Sequence, residues 1–160
     1  HDAEAYRKLV SSQLKGLALK VVVNRDYASG KSGSVKFVVS QVDKRSQGVI
    51  VLAADSPRPS AVLQRLVDCH AEGQSPITIP SHKGKQGHPP AFTRSLYGEI
   101  ATISEEHRGL REVIERDPTR VREVEYDTPL VLININSPED YQRASDLMGS
   151  VSAIPKSLSR

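Results

Sequence analysis

Short apolar runs and segments with a one-sided apolar stripe alternate along the first half of this chain. The β-branched runs at 17–24 and 48–54 each end in polar residues, which is typical of buried strands. The stripes at 35–42 and 62–67 have helical spacing, and the second stripe lies between a possible N-cap, Ser60, and Gly73. A strand, loop and helix that repeat in this order predict parallel strands joined by right-handed crossovers.

The second half of the chain has shorter elements and more turn residues. We predict a helix at 2–14 before the first strand, strands at 77–80, 121–125 and 131–135, a basic hairpin at 82–88, an edge strand or loop at 91–93, and helices at 96–103 and 110–116. Ser137, Pro138 and Asp140 form a capping-box pattern that begins a last helix. The pattern predicts an α/β fold: a three-layer, Rossmann-like domain over residues 1–149 with a mostly parallel sheet, a small inserted β lobe and a flexible tail at 150–160.

Composition and charge exclude several classes of protein. Hydrophobic residues make up 38% of the chain and charged residues 26%, which is typical of a globular domain rather than a disordered one. The single cysteine, Cys69, excludes an internal disulfide, and the five histidines lack zinc-like spacing. The net charge of +3 comes from mixed charges, there is no Trp, and no apolar run could span a bilayer. We therefore expect a cytoplasmic protein that binds neither nucleic acid nor membrane.

Polar residues that follow apolar strands are the first candidates for chemistry, because open parallel sheets bind ligands beyond the carboxyl ends of their strands. Asp55 is a possible Mg²⁺ ligand, with a turn or capping aspartate as the alternative. Asn134 and Asn136 alternate with isoleucines, which predicts that both amides are buried on one strand face, either at a ligand or in a structural hydrogen-bond network. The Gly/Ser loop at 27–34 is either a nucleotide loop or a plain turn.

Two basic residues in the hairpin region are further candidates. Lys85 and His88 are placed to meet an anionic substrate, although a hairpin tip is often basic for solubility and His88 is equally consistent with packing beside the prolines. Cys69 and His70 are neighbours on a helix and do not face each other, so they form no nucleophile pair.

Four segments, in the expected order, resemble the MobA-like NTP-transferase family and especially its molybdenum cofactor cytidylyltransferase branch. VNRDYASGKSGSV (Val23–Val35) is similar to that family's V-N-x-x-x-x-G-x-S-x-S segment, and GVIVLAADSPRPS (Gly48–Ser60) to its strand that ends in D-x-P. KGKQGHPPAFTRSLYGEI (Lys83–Ile100) is similar to its G-H-P segment, and ININSPEDY (Ile133–Tyr141) to its closing S/T-P-E-D motif.

The resemblance implies a transfer of NMP from CTP or GTP to a phosphorylated acceptor, most often molybdopterin, with Mg²⁺ as the cofactor. It implies that Asp55 and Asn136 are metal ligands and that Asp55 is also the catalytic residue. Gly30, Ser32 and Ser34 correspond to nucleotide contacts, whereas Lys85 and His88 correspond to the acceptor side. A molybdenum hydroxylase is an implied recipient of the product. Ser56 stands where the cytidylyltransferases usually carry Gln, so the resemblance leaves CTP and GTP both open.

One part of the family pattern is absent from this sequence. The glycine-rich loop A-A-G-x-S-x-R-M-G-x-x-K that holds the triphosphate in that family does not occur among the 160 residues. We therefore expect an N-terminally truncated domain that lacks an initial βαβ stretch of roughly 30 residues and that does not catalyse the transfer alone. The alternatives are a non-catalytic module that binds a nucleotide or a partner, a plain structural domain, and a transferase acting on a sugar phosphate or phospholactate.

Overall fold

The computed structural model describes residues 18–151, together with Glu4, Lys8, Val10 and Ser12. Those four residues are helical, but most of the helix predicted at 2–14 lies outside the described residues, as does the tail from 152 to 160. Within the described part of the chain, no helix combines the length and the apolar character needed to cross a membrane.

The centre of the molecule is a five-stranded mixed sheet. Its strands are β1 (Gly48–Ile50), β2 (Ile77–His82), β3 (Lys85–Gln86), β4 (Ala91–Thr93) and β5 (Val121–Glu125). Strand β2 pairs with β5 in parallel on one side and with both β3 and β4 antiparallel on the other, and β1 pairs antiparallel with β4. Because β1 and β2 both run opposite to β4, strands β1, β2 and β5 point the same way and end at the same edge of the sheet.

Helices cover both faces of this sheet. They are α1 (Lys31–Ser40), α2 (Ser60–Glu72), α3 (Tyr97–Ile100), α4 (Leu110–Glu115) and α5 (Pro138–Val151), with 3-10 helices at Tyr27–Ser29, Arg94–Leu96, Pro118–Arg120 and Pro129–Leu132. Ile77 and Ile79 of β2 pack with α1, α3 and α4. Thr78 lies on the opposite face of β2, where its hydroxyl shares a 2.8 Å hydrogen bond with the His70 ring of α2. The three layers and the α/β class predicted from the sequence are therefore confirmed.

The main core lies on the α1 side of the sheet. Ile77, Phe92, Ile100 and Val113 each have no exposed surface there. Full burial of an aliphatic or aromatic side chain of this size contributes about 1.5–3 kcal/mol to stability. This cluster joins β2 and β4 to helices α1, α3 and α4.

Several predicted elements are confirmed by the structure. Helix α2 ends at Gly73 as expected, the hairpin turns at Lys83 and Gly84 with positive φ angles, and the last helix begins with a capping box. In that box the Asp140 carboxylate accepts from the Ser137 N–H and the Ser137 hydroxyl accepts from the Asp140 N–H.

The strand predicted at 17–24 is wrong over its described residues, 18–24. This segment takes part in none of the sheet's pairings, and Leu19, Val21 and Val23 are 40–50% exposed. A β-branched run favours an extended backbone, but a strand also needs a hydrogen-bonding partner, and the described residues provide none here.

The strand predicted at 131–135 is also wrong. Residues 129–132 form a 3-10 helix, and residues 133–136 have no regular secondary structure. Pro129 occupies the first turn of this helix, and the Thr128 hydroxyl accepts from the Leu130 N–H at 3.3 Å. These two residues start a turn, and this local preference outweighs the β-branched composition that follows.

Several boundary predictions need correction. The strand predicted at 48–54 ends at Ile50, and the helix predicted at 96–103 covers Tyr97–Ile100. The segment 91–93 is not at the edge of the sheet, since β4 lies between β1 and β2. Ser60 does not cap α2, because Pro59 occupies the N-cap position and Ser60 is the first helical residue. Pro59 has no N–H and a fixed φ, so the chain enters the helix without a side-chain cap.

Candidate functional site

Asp55 lies in the turn that follows β1, beside a segment far away in sequence. The Ile135 N–H donates to the Asp55 carbonyl at 2.7 Å, so the two main chains are in direct contact. Asp55 itself is exposed, and it stands at the edge of the sheet where β1 and the other parallel strands end. The segment that carries Asp55 and the segment that carries Asn134 and Asn136 are thus neighbours at this edge.

Ser56 connects the two segments through their side chains. Its hydroxyl is 3.0 Å from Oδ1 of Asp55 and 2.8 Å from Oδ1 of Asn134, and Ser56 is only 3% exposed. A hydroxyl carries one proton, so it donates to only one of these two oxygens at a time. The result is a group of three oxygens in which acceptors outnumber donors.

The two asparagines differ from their predicted placement. Both are exposed, and neither lies in a strand, because the backbone at 133–136 is irregular. Asn134 is the amide that contacts Ser56, whereas the Asn136 N–H donates to the Asp140 carboxylate at 3.1 Å, just before α5. The expectation of two buried amides on one strand face is wrong for this reason.

Arg58 is a buried residue of this region that the sequence analysis did not single out. It is 8% exposed, and its guanidinium donates to the carbonyls of Pro57, His88, Val131 and Ile133 at 2.7–3.1 Å. Burial lowers its pKa to about 10, and the Asp55 charge acts in the opposite direction. Since this pKa is well above 7, Arg58 remains a cation at neutral pH.

His88 lies beside this cation. Part of the residue is exposed, but protein around the ring displaces water, and this burial lowers the pKa of His88. The charges of Arg58, Lys31 and Arg111 lower it further, while Asp55 opposes them. His88 is therefore neutral at pH 7, and its ring has one nitrogen free of a proton.

The predicted nucleotide loop is shorter than expected, because helix α1 already begins at Lys31. Gly30 is the N-cap with φ 105°, so Ser32 and Ser34 lie in the first turn of the helix. Ser32 is buried at 5% exposure, and the Ser34 hydroxyl accepts from the Asn24 amide at 3.1 Å. Glycine is required at position 30, since its φ lies in the region that side chains disfavour.

A carboxylate from another part of the chain fills this turn. Oε1 of Glu105 accepts from the Ser32 N–H at 2.5 Å, and a Cβ on Gly30 would lie 2.6–2.8 Å from the Glu105 side chain. The Ser32 N–H and hydroxyl lower the pKa of Glu105. Glu105 thus supplies from outside the helix the cap that Gly30 cannot provide. No local pattern indicates this contact, which spans 73 residues.

Lys85 lies apart from these groups. It is exposed on β3, where it pairs with His82 across the hairpin. Among the contacts described for residues 18–151, none joins Lys85 to Asp55 or to Ser32. The structure therefore brings together Asp55, Ser56, Asn134, Arg58 and His88, with α1 facing the segment of Glu105.

The donor set at Asp55 suits a hard divalent cation. A carboxylate, a hydroxyl and an amide oxygen are the ligands that Mg²⁺ and Mn²⁺ prefer, and excess acceptor capacity favours a cation over a further hydrogen-bond acceptor. Nowhere in the described chain do three His, Cys, Asp or Glu residues cluster in a way that could hold a metal. A metal at Asp55 would accordingly rely on neutral oxygens, water and substrate phosphates for its other ligands.

The sequence comparison decides the family. Residues 4–123 match the MobA-like NTP transferase domain. The chain belongs to this family. The family resemblance inferred from the four segments is thereby confirmed. Membership of the MobA-like family supports a nucleotidyltransferase activity with a nucleoside triphosphate substrate. No curated protein sequence is significantly similar to the chain.

Solved structures agree with the MobA-like fold. Rv0371c from Mycobacterium tuberculosis H37Rv is 25% identical with a TM-score of 0.68, and the match covers 91% of this chain and 72% of that one. Rv0371c has also been solved in complex with manganese, with 25% identity, a TM-score of 0.65 and coverage of 88% and 72%. A nucleotidyl transferase from Methanothermobacter thermautotroptrophicus is 22% identical with a TM-score of 0.68, covering 91% and 71%, and shows the same fold.

A more distant structural neighbour is the molybdopterin-guanine dinucleotide biosynthesis protein A from Archaeoglobus fulgidus. It is 19% identical with a TM-score of 0.52, and the match covers 92% of this chain and 75% of that one. This likeness concerns the fold.

Proposed function

We propose that this MobA-like domain acts in the transfer of NMP from CTP or GTP to a phosphorylated acceptor, molybdopterin, with a divalent cation bound at Asp55. The observation that carries the proposal is the group of oxygens from Asp55, Ser56 and Asn134 at the carboxyl edge of the parallel strands. A manganese complex of Rv0371c, a structural relative, supports the choice of metal. The molybdopterin acceptor is supported by the sequence resemblance and by the name of the archaeal neighbour.

In the proposed reaction a phosphate oxygen of the acceptor attacks the α-phosphorus of the NTP, and the bond from that phosphorus to the bridging oxygen breaks. Pyrophosphate leaves with the electron pair. Asp55, with Asn136 and Asn134 as neighbouring oxygen donors, would hold Mg²⁺ or Mn²⁺. The cation neutralises charge that develops on the phosphoryl oxygens when it is bound.

The other residues bind and orient the two substrates. The Gly30 turn with Ser32 and Ser34 binds the nucleotide through main-chain N–H groups and hydroxyls. His88 and Lys85 lie on the acceptor side. His88 is neutral at pH 7 and offers the acceptor one hydrogen-bond donor and one acceptor on its ring. Lys31 and Arg111, whose charges reach His88, favour an anionic substrate at this point.

Binding is the right test of this proposal, because the family's glycine-rich loop is not in the 160 residues and turnover by the chain alone is expected at background. Calorimetric titration of CTP and GTP should show binding that requires Mn²⁺ or Mg²⁺. Mutation of residues that merely support a metal ligand costs roughly 10- to 100-fold in affinity, so Asp55→Asn should cost at least that much.

Asp43→Asn is the matched control, since Asp43 is an exposed aspartate near the start of β1 that pairs with Arg45. It should bind the nucleotide as wild type does. Equal affinity of Asp55→Asn and wild type would refute the proposal. Binding that is indifferent to metal would instead favour a non-catalytic nucleotide-binding module, and a preference for a sugar phosphate or phospholactate over molybdopterin would replace the acceptor.

A further inference from the structure

Arg58 carries a buried charge with an unusual set of partners. All four of its hydrogen-bond acceptors are main-chain carbonyls, and none is a carboxylate. Burying a guanidinium without a paired anion is strongly unfavourable unless hydrogen bonds satisfy its N–H groups. If Arg58 only filled space, an apolar side chain of the same size would do so without this cost.

The carbonyls belong to the three segments that carry the candidate site. Pro57 follows the Asp55 turn directly, the His88 carbonyl belongs to a candidate site residue, and Val131 and Ile133 precede Asn134. Two further main-chain bonds lie within this arrangement. The Ile135 N–H donates to Asp55, and the His88 N–H donates to Val131, each at 2.7 Å.

Only an arginine can make these contacts together. Its planar fork presents N–H groups from Nε, Nη1 and Nη2 in fixed directions, and here the three nitrogens reach different segments. Lysine has a single nitrogen, so it cannot span the same carbonyls. The charge also strengthens each bond, since hydrogen bonds from an ionised donor contribute about twice as much as neutral ones.

We propose that Arg58 is the positioning residue of this site. Its guanidinium sets the relative placement of Asp55, His88 and Asn134 by binding the main-chain carbonyls of all three segments at once. The inference rests on the proposed function for its consequence in metal and nucleotide binding, but the placement itself is measurable without either ligand.

Arg122 is a matched control for the test. It is a half-buried arginine that also donates to a main-chain carbonyl, that of Cys69 at 2.6 Å, but it belongs to β5 and reaches the end of α2. Arg58→Lys and Arg122→Lys both keep the positive charge but replace the planar guanidinium by a single ammonium group. The two variants are compared by amide hydrogen exchange at Ile135 and His88 and by the dissociation constant of Mn²⁺ in the presence of CTP or GTP.

Arg58→Lys should speed exchange at the Ile135 and His88 amides by tenfold or more and raise the Mn²⁺ dissociation constant by roughly tenfold, as loss of a supporting residue does. Arg122→Lys should change neither. The inference is overturned if both amides in Arg58→Lys stay as protected from exchange as in wild type. It is also overturned if the two variants raise the Mn²⁺ dissociation constant equally. Should wild type bind no Mn²⁺ at all, the proposed function fails, whereas the exchange comparison still decides whether Arg58 places the three segments.

Discussion

The two ends of the candidate site are built in opposite ways. At the Asp55 end, which comprises Asp55, Ser56, Arg58, His88 and Asn134, main-chain carbonyls and N–H groups hold three segments together around the buried Ser56 and Arg58. At the Gly30 end, which comprises Gly30, Ser32 and Glu105, an exposed carboxylate from a distant loop fills the first turn of α1. Main-chain contacts cannot yield without moving the fold, but a surface carboxylate can swing aside for a ligand.

This difference fits separate roles for the two ends, metal binding at the Asp55 end and nucleotide binding at the Gly30 end. A metal site needs oxygens at fixed separations, since a small error in position weakens coordination. A nucleotide site needs main-chain N–H groups that are accessible when the ligand arrives. Glu105 satisfies the Ser32 N–H and must leave before another acceptor can use it. Glycine-to-alanine substitutions at the two ends measure how much stability each end loses when a Cβ is added.

The largest effect is expected for Gly87→Ala, beside the Asp55 end. A Cβ at this position would lie 2.2 Å from the Val131 carbonyl oxygen, which is main chain and also accepts from the His88 N–H. Because neither partner can move aside, we expect a loss of about 3 kcal/mol or more in the free energy of unfolding. Urea denaturation followed by circular dichroism measures it.

Gly98→Ala is the control for that substitution. Gly98 lies in α3, and nothing lies within 4 Å of its added Cβ. Alanine is favoured over glycine inside a helix by about 1 kcal/mol, so this variant should be as stable as wild type or more so. A Gly87→Ala protein of wild-type stability would show that the Asp55 end is no more rigid than the rest of the surface.

A smaller loss is expected for Gly30→Ala at the other end. The atoms nearest to the new Cβ all belong to Glu105, whose flexible side chain can rotate away, so the main cost is the positive φ of 105°. A loss of about 1–3 kcal/mol follows from placing alanine in that region of backbone space, which glycine alone occupies without strain. The same denaturation experiment applies, and a loss as large as that of Gly87→Ala would remove the contrast between the two ends.

The smallest effect concerns the pH dependence of stability at Glu105. Its pKa is lowered below 4.5 in the folded state by the Ser32 N–H, so the ionised carboxylate stabilises the fold above pH 4.5 and this contribution is lost as pH falls below that value. Wild type should exceed Glu105→Gln in stability at pH 7, and the gap should close on acidification. A gap that persists at low pH would mean that the charge of Glu105 is not its source.

The same variant also tests the role of Glu105 as an occupant of the nucleotide turn. Neutral Gln holds the Ser32 N–H more weakly than a carboxylate, so Glu105→Gln should bind CTP or GTP more tightly than wild type. Glu106→Gln, an exposed neighbour, should bind as wild type does. Weaker binding by Glu105→Gln would instead make Glu105 a direct contact of the nucleotide.

Local patterns in the sequence predicted the elements that depend on local chemistry. Strand β2, helix α2 and the capping box at Ser137 each follow from periodicity or from a residue's own hydrogen bonds. The segment at 18–24 has the composition of a strand, but its burial depends on a partner that composition does not specify. The segment at 131–135 is decided by Thr128 and Pro129, which precede it.

The site was predictable only in part, for a similar reason. Asp55 and the asparagines stand out because they follow apolar runs, and the edge of the sheet brings their segments together. Arg58 and Glu105 give no local signal, because the contacts that define their roles reach residues 30–75 positions away; the one local contact, from Arg58 to the Pro57 carbonyl, has no sequence pattern of its own. Ser56 was visible beside Asp55, but its role as the link to Asn134 required the fold.

The location of a bound Mn²⁺ shows whether Asp55 and its neighbours hold the metal. Paramagnetic Mn²⁺, titrated into isotopically labelled protein with CTP or GTP present, broadens the NMR signals of the nearest residues first. We expect the signals of Asp55, Ser56, Asn134 and Asn136 to disappear before any others and Asp55→Asn to abolish this effect. Broadening centred instead on the exposed acidic residues of β5, Glu123 and Glu125, with the signals around Asp55 unchanged, would show that the metal does not bind at Asp55.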